Sequence, residues 1–311
     1  MNYIQDMQQV AADRMTRLAK EDFQSQLKPS NPVSGTLAAV RELVERRELL
    51  GLLVRRELVG RYKDSVLGFA WSLIRPLTQL LIYYLVMGQF LGAARSIENF
   101  AVYIFTGLTL WGLFSETIMS MTGSIVANGG LIKKVYLPRE IFPLASVGSS
   151  IFNFCIQMIV LLAAAAIAGT LSFGGNLLYA LAAFVLIIIW ATALGFILSA
   201  TNVYFRDVQY LVDVLILLLM WMSPIVYSWS MVSGVIAAGA PSWVTDLYIN
   251  NPITLAVMGF QNAFWAPGSP GAVFPEHLMT RMVIATIVGV FFLWFGQRVF
   301  ARLQGNFAQE L

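Results

Sequence analysis

Six stretches, at about 68–91, 101–121, 144–168, 176–200, 209–228 and 279–301, are apolar over nearly their whole length. A helix needs about 20 such residues to cross ~30 Å of hydrocarbon, so the pattern predicts six transmembrane helices. The segment before them follows another rule. In "TLAAVRELVERRELLGLLVRRELVGRYKDS", Leu37, Val40, Leu43 and Val44, then Leu50, Leu53, Val54 and Leu58, recur at helical spacing among Arg and Glu. That periodicity predicts an amphipathic helix along the membrane surface, supported weakly by pairs such as Arg41 with Glu45. Between the fifth and sixth runs, "LYINNPITLAVMGFQNAFW" is too apolar for a solvated loop and too interrupted by Pro252 and Asn for a span. Short re-entrant helices in the outer leaflet, packed against protein, satisfy both constraints. The expected fold is an all-α integral membrane protein. It has a polar cytoplasmic tail (1–35), an amphipathic cytoplasmic interface helix (36–66), a six-helix transmembrane domain with re-entrant helices before its last span (67–303), and a cytoplasmic C-terminus (304–311).

Composition agrees: of 311 residues, 58% are hydrophobic and 12% charged, about half the charged share of soluble domains. Charge position then orients the bundle. Lys and Arg crowd the segment from Arg14 to Lys63, and recur at Lys133, Lys134 and Arg139, at Arg206, and at Arg298 and Arg302, all on one side of the predicted membrane. Only Arg95 and Arg281 fall on the other side, with Arg75 at the inner end of the first span. The positive-inside rule therefore places both termini in the cytoplasm, in the plasma (inner) membrane of a multi-pass protein. The polar opening segment has no secretory-leader pattern, which supports the same orientation. Cys155, the sole cysteine, sits in an apolar run and reads as buried filler.

Several chemistries are absent. No G-x-x-x-x-G-K-[ST] phosphate loop occurs, so ATP hydrolysis by that machinery is excluded for this chain. His277 is the only histidine and has no cysteine near it, against a zinc or haem site. No G-x-S-x-G nucleophile elbow is present. Glu116 and Asp213 fall in or near spans, where an acid either lines a polar path or bonds a neighbouring helix. The composition leaves both readings open.

Four motifs carry a resemblance. "RRELVGRYKDSVLGFAWSLIRPL" offers Arg56, Arg61-Tyr62, Ser65, Leu67-Gly68, Trp71 and Pro76. "NGGLIKKVYLPREIFPLA" offers Asn128, Leu131-Ile132, Lys134, Pro138-Arg139-Glu140 and Pro143. "YFRDVQYLVDVLILLLMWMSPIVYS" offers Arg206-Asp207 and Ser223-Pro224-Ile225, and "NNPITLAV" offers Asn251-Pro252. In this order they resemble the ABC-2 type permeases that export O-antigen, capsule and teichoic-acid polysaccharides, over roughly residues 50–300.

The resemblance implies a homodimer of six-span subunits whose loop between spans two and three docks on a separate nucleotide-binding ATPase. This chain would then be a transport subunit without enzymatic activity or cofactor, with ATP and Mg on the partner. Its cargo would be a polysaccharide on a polyprenyl pyrophosphate lipid; no nucleic acid is implied. The coupling residues are then Lys133, Lys134, Tyr136, Pro138, Arg139 and Glu140, the prolines stiffening a short lever. The same cations satisfy the positive-inside rule without any partner. A sugar chain would slide past aromatic rings, and Tyr83, Tyr84, Trp111, Phe114, Trp221 and Tyr227 are the candidates, although Trp and Tyr also anchor helices at interfaces. Arg56, Arg61 and Arg75 could attract pyrophosphate at the cytoplasmic mouth. Two alternatives remain: a membrane glycosyl- or phosphotransferase on a polyprenyl-linked substrate, or an ABC-2 permease for a drug or small lipid. The polymer's identity, its lipid carrier and any carbohydrate-binding domain on the ATPase are not encoded in these motifs.

Overall fold

In the computed structural model, residues 36, 41–63, 65, 67–135, 137–237, 239 and 241–311 are described. The predicted tail over 1–35 and the coupling candidate Tyr136 lie outside them. Among the described residues every regular element is helical. In chain order, α1 is Arg47–Tyr62, α2 Trp71–Tyr83, α3 Phe100–Ala127, α4 Gly129–Ile132, α5 Ile141–Ile167 and α6 Leu177–Tyr204. They are followed by α7 Val208–Trp221, α8 Trp229–Ala237, α9 Ser242–Ile249, α10 Pro252–Phe264, α11 Leu278–Leu303 and α12 Phe307–Glu310.

Among the described residues, four helices are long and apolar enough to cross a membrane: α3, α5, α6 and the stretch Leu278–Glu310 that contains α11. The other two predicted runs take different forms. Residues 68–91 contain three consecutive pitches, a 3-10 turn Gly68–Ala70, α2, and a π-helical segment Tyr84–Phe90. Pro76 sits inside α2, where its missing N–H removes one backbone bond. The run 209–228 yields the 14-residue α7, about 21 Å long, then a turn at Ser223–Tyr227.

The core lies around α3 and α6, which pack on each other, with α5 against α3, α11 against α6, and α10 against both α3 and α6. Small residues permit the close approaches, as is usual between membrane helices. A Cβ on Gly296 of α11 would stand 2.5 Å from the Ala193 carbonyl of α6, and one on Gly148 of α5 would stand 2.8 Å from Val54 of α1. The second contact seats α1 on α5. Leu53 of α1 is buried there, whereas Leu52 and Val59 face outward. The predicted interface helix is thus partly a docked element of the bundle. Apart from Thr36, its described portion begins at Arg41, with a turn at Arg46.

α10 is buried along almost all of its 13 residues. Asn251 caps it, Oδ1 accepting from the Ile253 N–H at 3.0 Å, and Pro252 occupies the first turn, where a missing N–H costs nothing. Cys155 departs from its reading as buried filler: it is exposed on α5, because an all-apolar helix gives no sign of which face turns outward.

Candidate functional site

The segment between α3 and α5 divides into an exposed tip and a buried base. α3 ends at Asn128, whose Nδ2 donates to the Ser124 carbonyl at 2.7 Å. The short α4 then drops Ile132 into an apolar cluster with Ile125, Ile141, Phe142, Phe196, Phe300 and Phe307. Beyond it Lys133, Lys134 and Val135 are exposed. The chain returns through Leu137 and Pro138, both half-buried, and the Ile141 N–H bonds the Pro138 carbonyl at 3.1 Å to start α5.

Arg139 and Glu140 face inward. Glu140 is 5% exposed, and its Oε1 accepts from Gln297 Nε2 at 2.7 Å. Gln297 Oε1 in turn accepts from Arg298 Nε at 2.8 Å. Burial pushes the Glu140 carboxyl above the usual carboxylate range, against the pull of the Gln297 hydrogen bond and the Arg298 charge. The Arg139 guanidinium lies over the Phe307 ring, 5.9 Å from its centroid, a cation–π contact. Phe307 is fully buried and packs edge-on against Phe300 at 5.5 Å. Within this subunit, then, Arg139 and Glu140 bind the loop to the end of α11 and to α12, while Lys133 and Lys134 project.

A second polar cluster adjoins the base. Arg61 of α1 pairs with Glu57 at 3.3 Å and with Glu116 of α3, and its Nη2 donates to Ser120 Oγ at 3.2 Å. Glu116 Oε1 also accepts from Asn153 Nδ2 of α5 at 2.6 Å. Ser146 Oγ donates to Glu57 Oε2 at 3.4 Å, and Arg56 donates to Asn128 Oδ1. Burial pushes the Glu57 carboxyl up despite the Arg61 charge. Burial works against the Arg61 cation too, but Glu116 and Glu57 more than offset it. Of the two readings for Glu116, the structure therefore displays the bond to neighbouring helices. The leading motif and the loop motif meet here through Arg56 and Asn128, 72 residues apart.

The remaining candidates scatter. Of the three proposed pyrophosphate-attracting cations, Arg61 and Arg56 are engaged as above, and Arg75 is exposed with its guanidinium 6.0 Å from the Trp71 ring. Among the aromatics, Trp111 and Phe114 are buried in the subunit core, 5.6 Å apart. Tyr83 donates to Met220 Sδ at 3.9 Å, and Tyr84 accepts from Gln89 Nε2 at 3.1 Å. Trp221 is exposed, and its carbonyl accepts from Tyr227 Oη at 2.8 Å. Asp213 is exposed on α7. Sequence reasoning missed Asn153, Gln297 and Phe307. The two amides had a readable signal, a strong hydrogen-bonding group inside an otherwise apolar run.

The family model described as ABC-2 type transporter matches residues 48–265. The chain is 29% identical over 272 residues to the O-antigen export system permease protein RfbA of Myxococcus xanthus, covering 88% of this chain and 98% of that protein. It is 27% identical over 268 residues to the RfbA permease of Klebsiella pneumoniae, covering 85% and 95%. Against the capsule polysaccharide export inner-membrane protein CtrC of Neisseria meningitidis serogroup A, identity is 25% over 169 residues, covering 54% and 63%. The matched region contains all of α1 but its first residue, the loop from Asn128 to Glu140, Glu116 and Asn153 of the second cluster and the buried α10, and the chain belongs to the ABC-2 type transporter family.

Proposed function

We propose that this chain is the permease subunit of an ABC exporter that moves a polyprenyl-pyrophosphate-linked polysaccharide out of the cytoplasm, driven by ATP and Mg on a separate ATPase subunit. The observation that carries this reading is the near full-length similarity to O-antigen export permeases. Two copies form the path, each with six spans. The four long helices are joined by Gly68–Phe90, whose three consecutive helical segments hold 3, 13 and 7 residues, and by α7 with the turn after it. The basic end of the bundle faces the cytoplasm, so α8, α9 and α10 belong to the outer half.

Transmission of force suits the loop's division. Lys133 and Lys134 form a charged tip for acids on the ATPase, and the Glu140–Gln297 and Arg139–Phe307 contacts make its base stiff enough to pass a push into α5 and α11. Arg61, Glu57 and Glu116 tie α1 to α3 and α5, the two spans that flank the loop.

Depletion of the protein in its native cell tests the reading. Lipid-linked polymer should accumulate inside while synthesis continues. Loss of every lipid-linked pool would instead indicate a transferase, and unchanged surface polymer would overturn export. The purified chain should hydrolyse no ATP alone, and should co-purify two-plus-two with its ATPase.

A further inference from the structure

α11 ends at Leu303, and the chain after it packs back against the loop instead of running free. A 3-10 turn, Gln304–Asn306, leads into α12, where only Phe307 is buried. That one ring meets three elements. It stands edge-on to Phe300 of α11 at 5.5 Å and to Tyr204, the last residue of α6, at 6.2 Å, while the Arg139 guanidinium of the loop lies over it at 5.9 Å. Tyr204 Oη also donates to the Leu303 carbonyl at 2.8 Å, fastening the end of α6 to the same turn. Leu311 then reaches α4: a Cβ built on Gly129 would stand 3.6 Å from the Leu311 Cβ. Leu131, Ile132 and Leu137 of the loop share one apolar cluster with Leu303, Phe307 and Leu311. Residues 304–311 therefore touch the loop at two places, α4 and Arg139, and the end of α6 at a third. Shortly after Tyr204, α7 begins at Val208, and within this subunit only its Val212 and Met220 are buried. A helix so lightly packed is displaced at small cost.

We infer that residues 304–311 are the joint through which a displacement of the loop reaches α7, with Phe307 and Leu311 as positioning residues for the coupling of ATP hydrolysis to export. The inference rests on the docking of the loop on an ATPase proposed above. Lys133 and Lys134 take the push, Leu311 and the Arg139–Phe307 contact hold loop and segment together as one body, and Tyr204 hands the movement to the turn before α7. Close packing favours motion as a unit, because dispersion and cation–π contacts fall away steeply when the surfaces part. The competing route runs from the loop straight into α5 along the backbone. It needs neither Phe307 nor Leu311, which is what separates the two by experiment.

The test uses inverted membrane vesicles that hold the full-length protein, its ATPase and the endogenous lipid-linked polymer, read as ATP hydrolysed, polymer delivered to the lumen and partner yield on extraction. Cys155→Ser removes the exposed thiol of α5. In that background Gly129→Cys with Leu311→Cys sets two Cβ atoms 3.6 Å apart, inside the ~3.5–4.5 Å that a disulfide spans. The pair should crosslink within one chain under a mild oxidant, and crosslinked vesicles should export at the unlinked rate, since the joined parts move together. Phe307→Leu keeps an apolar filling but loses the ring that Arg139 and Tyr204 face. It should raise the ATP hydrolysed per polymer roughly threefold at unchanged partner yield, whereas a merely structural loss lowers hydrolysis and export in step. Oxidising the cysteine pair in Phe307→Leu should bring the ratio back toward wild type, because Tyr204 still holds Leu303, and a reductant should undo the rescue. Absence of the crosslink, crosslinked vesicles that hydrolyse ATP but deliver no polymer, or a wild-type ratio in Phe307→Leu overturns the joint. Failure of the export reading looks different: vesicles with no substitution then deliver no polymer on ATP although the cysteine pair still crosslinks, and the joint falls with that reading.

Discussion

The two ends of α3 are held by different chemistry. Toward the Asn128 end charged contacts join a neutral one: Arg61 pairs with Glu116 and Arg56 donates to Asn128, beside the Asn202 bond to the Thr122 carbonyl at 3.0 Å. At the Phe100 end the contacts are neutral donors on backbone carbonyls. Tyr103 donates to Tyr227 at 2.6 Å, Gln261 to Pro224 at 2.8 Å, Trp265 to Glu98 at 2.7 Å and Thr170 to Phe264 at 2.8 Å. Neutral bonds to a backbone that cannot leave make a fixed plug, insensitive to pH and salt. Charged pairs can be re-partnered by another protein's charges or weakened by protonation. With α3 about 42 Å long, one helix thus joins an adjustable end to a rigid one.

The largest test removes the central cation. Arg61→Ala leaves Glu57 and Glu116 facing each other without their shared partner, and the pair is about three-quarters buried. Breaking such a pair should cost about 2–4 kcal/mol, read as lowered thermal stability in nanodiscs. Adding Glu116→Gln should restore part of the loss, since the amide can still accept from Asn153. A loss from Arg61→Ala below the error of the melt would mean that α1 is held by Leu53 and Val54 alone.

At the neutral end, Tyr103→Phe deletes a hydroxyl that serves two carbonyls, Tyr227 at 2.6 Å and Pro224 at 2.9 Å. The expected cost is about 1–2 kcal/mol, and it should be the same at pH 5 and pH 8. A cost that varies with pH would dissolve the distinction between the ends.

How far the sequence reaches is visible in the same residues. Four of the six apolar runs became long helices, since a sustained apolar pattern with every backbone bond made internally is what lipid tolerates. The change of pitch at Tyr84 was not readable, since π-helical turns answer to tertiary packing more than to residue type. Trp111 and Phe114 read as channel candidates and lie in the core, because a helix apolar on all sides does not reveal its rotation. In the loop, the resemblance grouped Arg139 and Glu140 with the lysines as coupling residues. Glu140 is buried by Gln297, 157 residues later, a partner that no local pattern announces.

A subtler effect follows from the raised carboxyls of Glu140 and Glu57. A carboxyl whose folded pKa lies above its usual 4.5 binds its proton more tightly in the folded state. The stability it contributes is therefore complete below that value and is lost as pH rises through the folded pKa. Glu140→Gln cannot ionise and keeps an oxygen for Gln297. It should match wild type in melts near pH 4 and gain on it as pH rises to 8. A constant difference across that range would mean that Glu140 is fully compensated as an anion by Gln297 and Arg298.

The smallest effect on folding should coincide with the clearest effect on function. Lys133 and Lys134 are exposed and take no part in the Glu140–Gln297–Arg298 hydrogen bonds, so Lys133→Ser with Lys134→Ser should change stability by less than ~0.5 kcal/mol. If the tip meets acids on the ATPase, the double variant should co-purify less partner at low salt, with the deficit shrinking as salt screens the wild-type contacts, and should export less polymer while melting like wild type. Arg139→Ala with Glu140→Ala cannot separate these roles, because it also removes the Phe307 and Gln297 contacts and should lower the melting temperature together with export. Pro138→Gly falls between, loosening the turn before α5 without removing charge, and should uncouple ATP hydrolysis from export at nearly normal partner affinity. Measuring melting temperature, partner yield, ATPase rate and surface polymer for all three decides between tip and base. Wild-type export from the lysine variant would assign those cations to membrane orientation alone and leave coupling to the buried base.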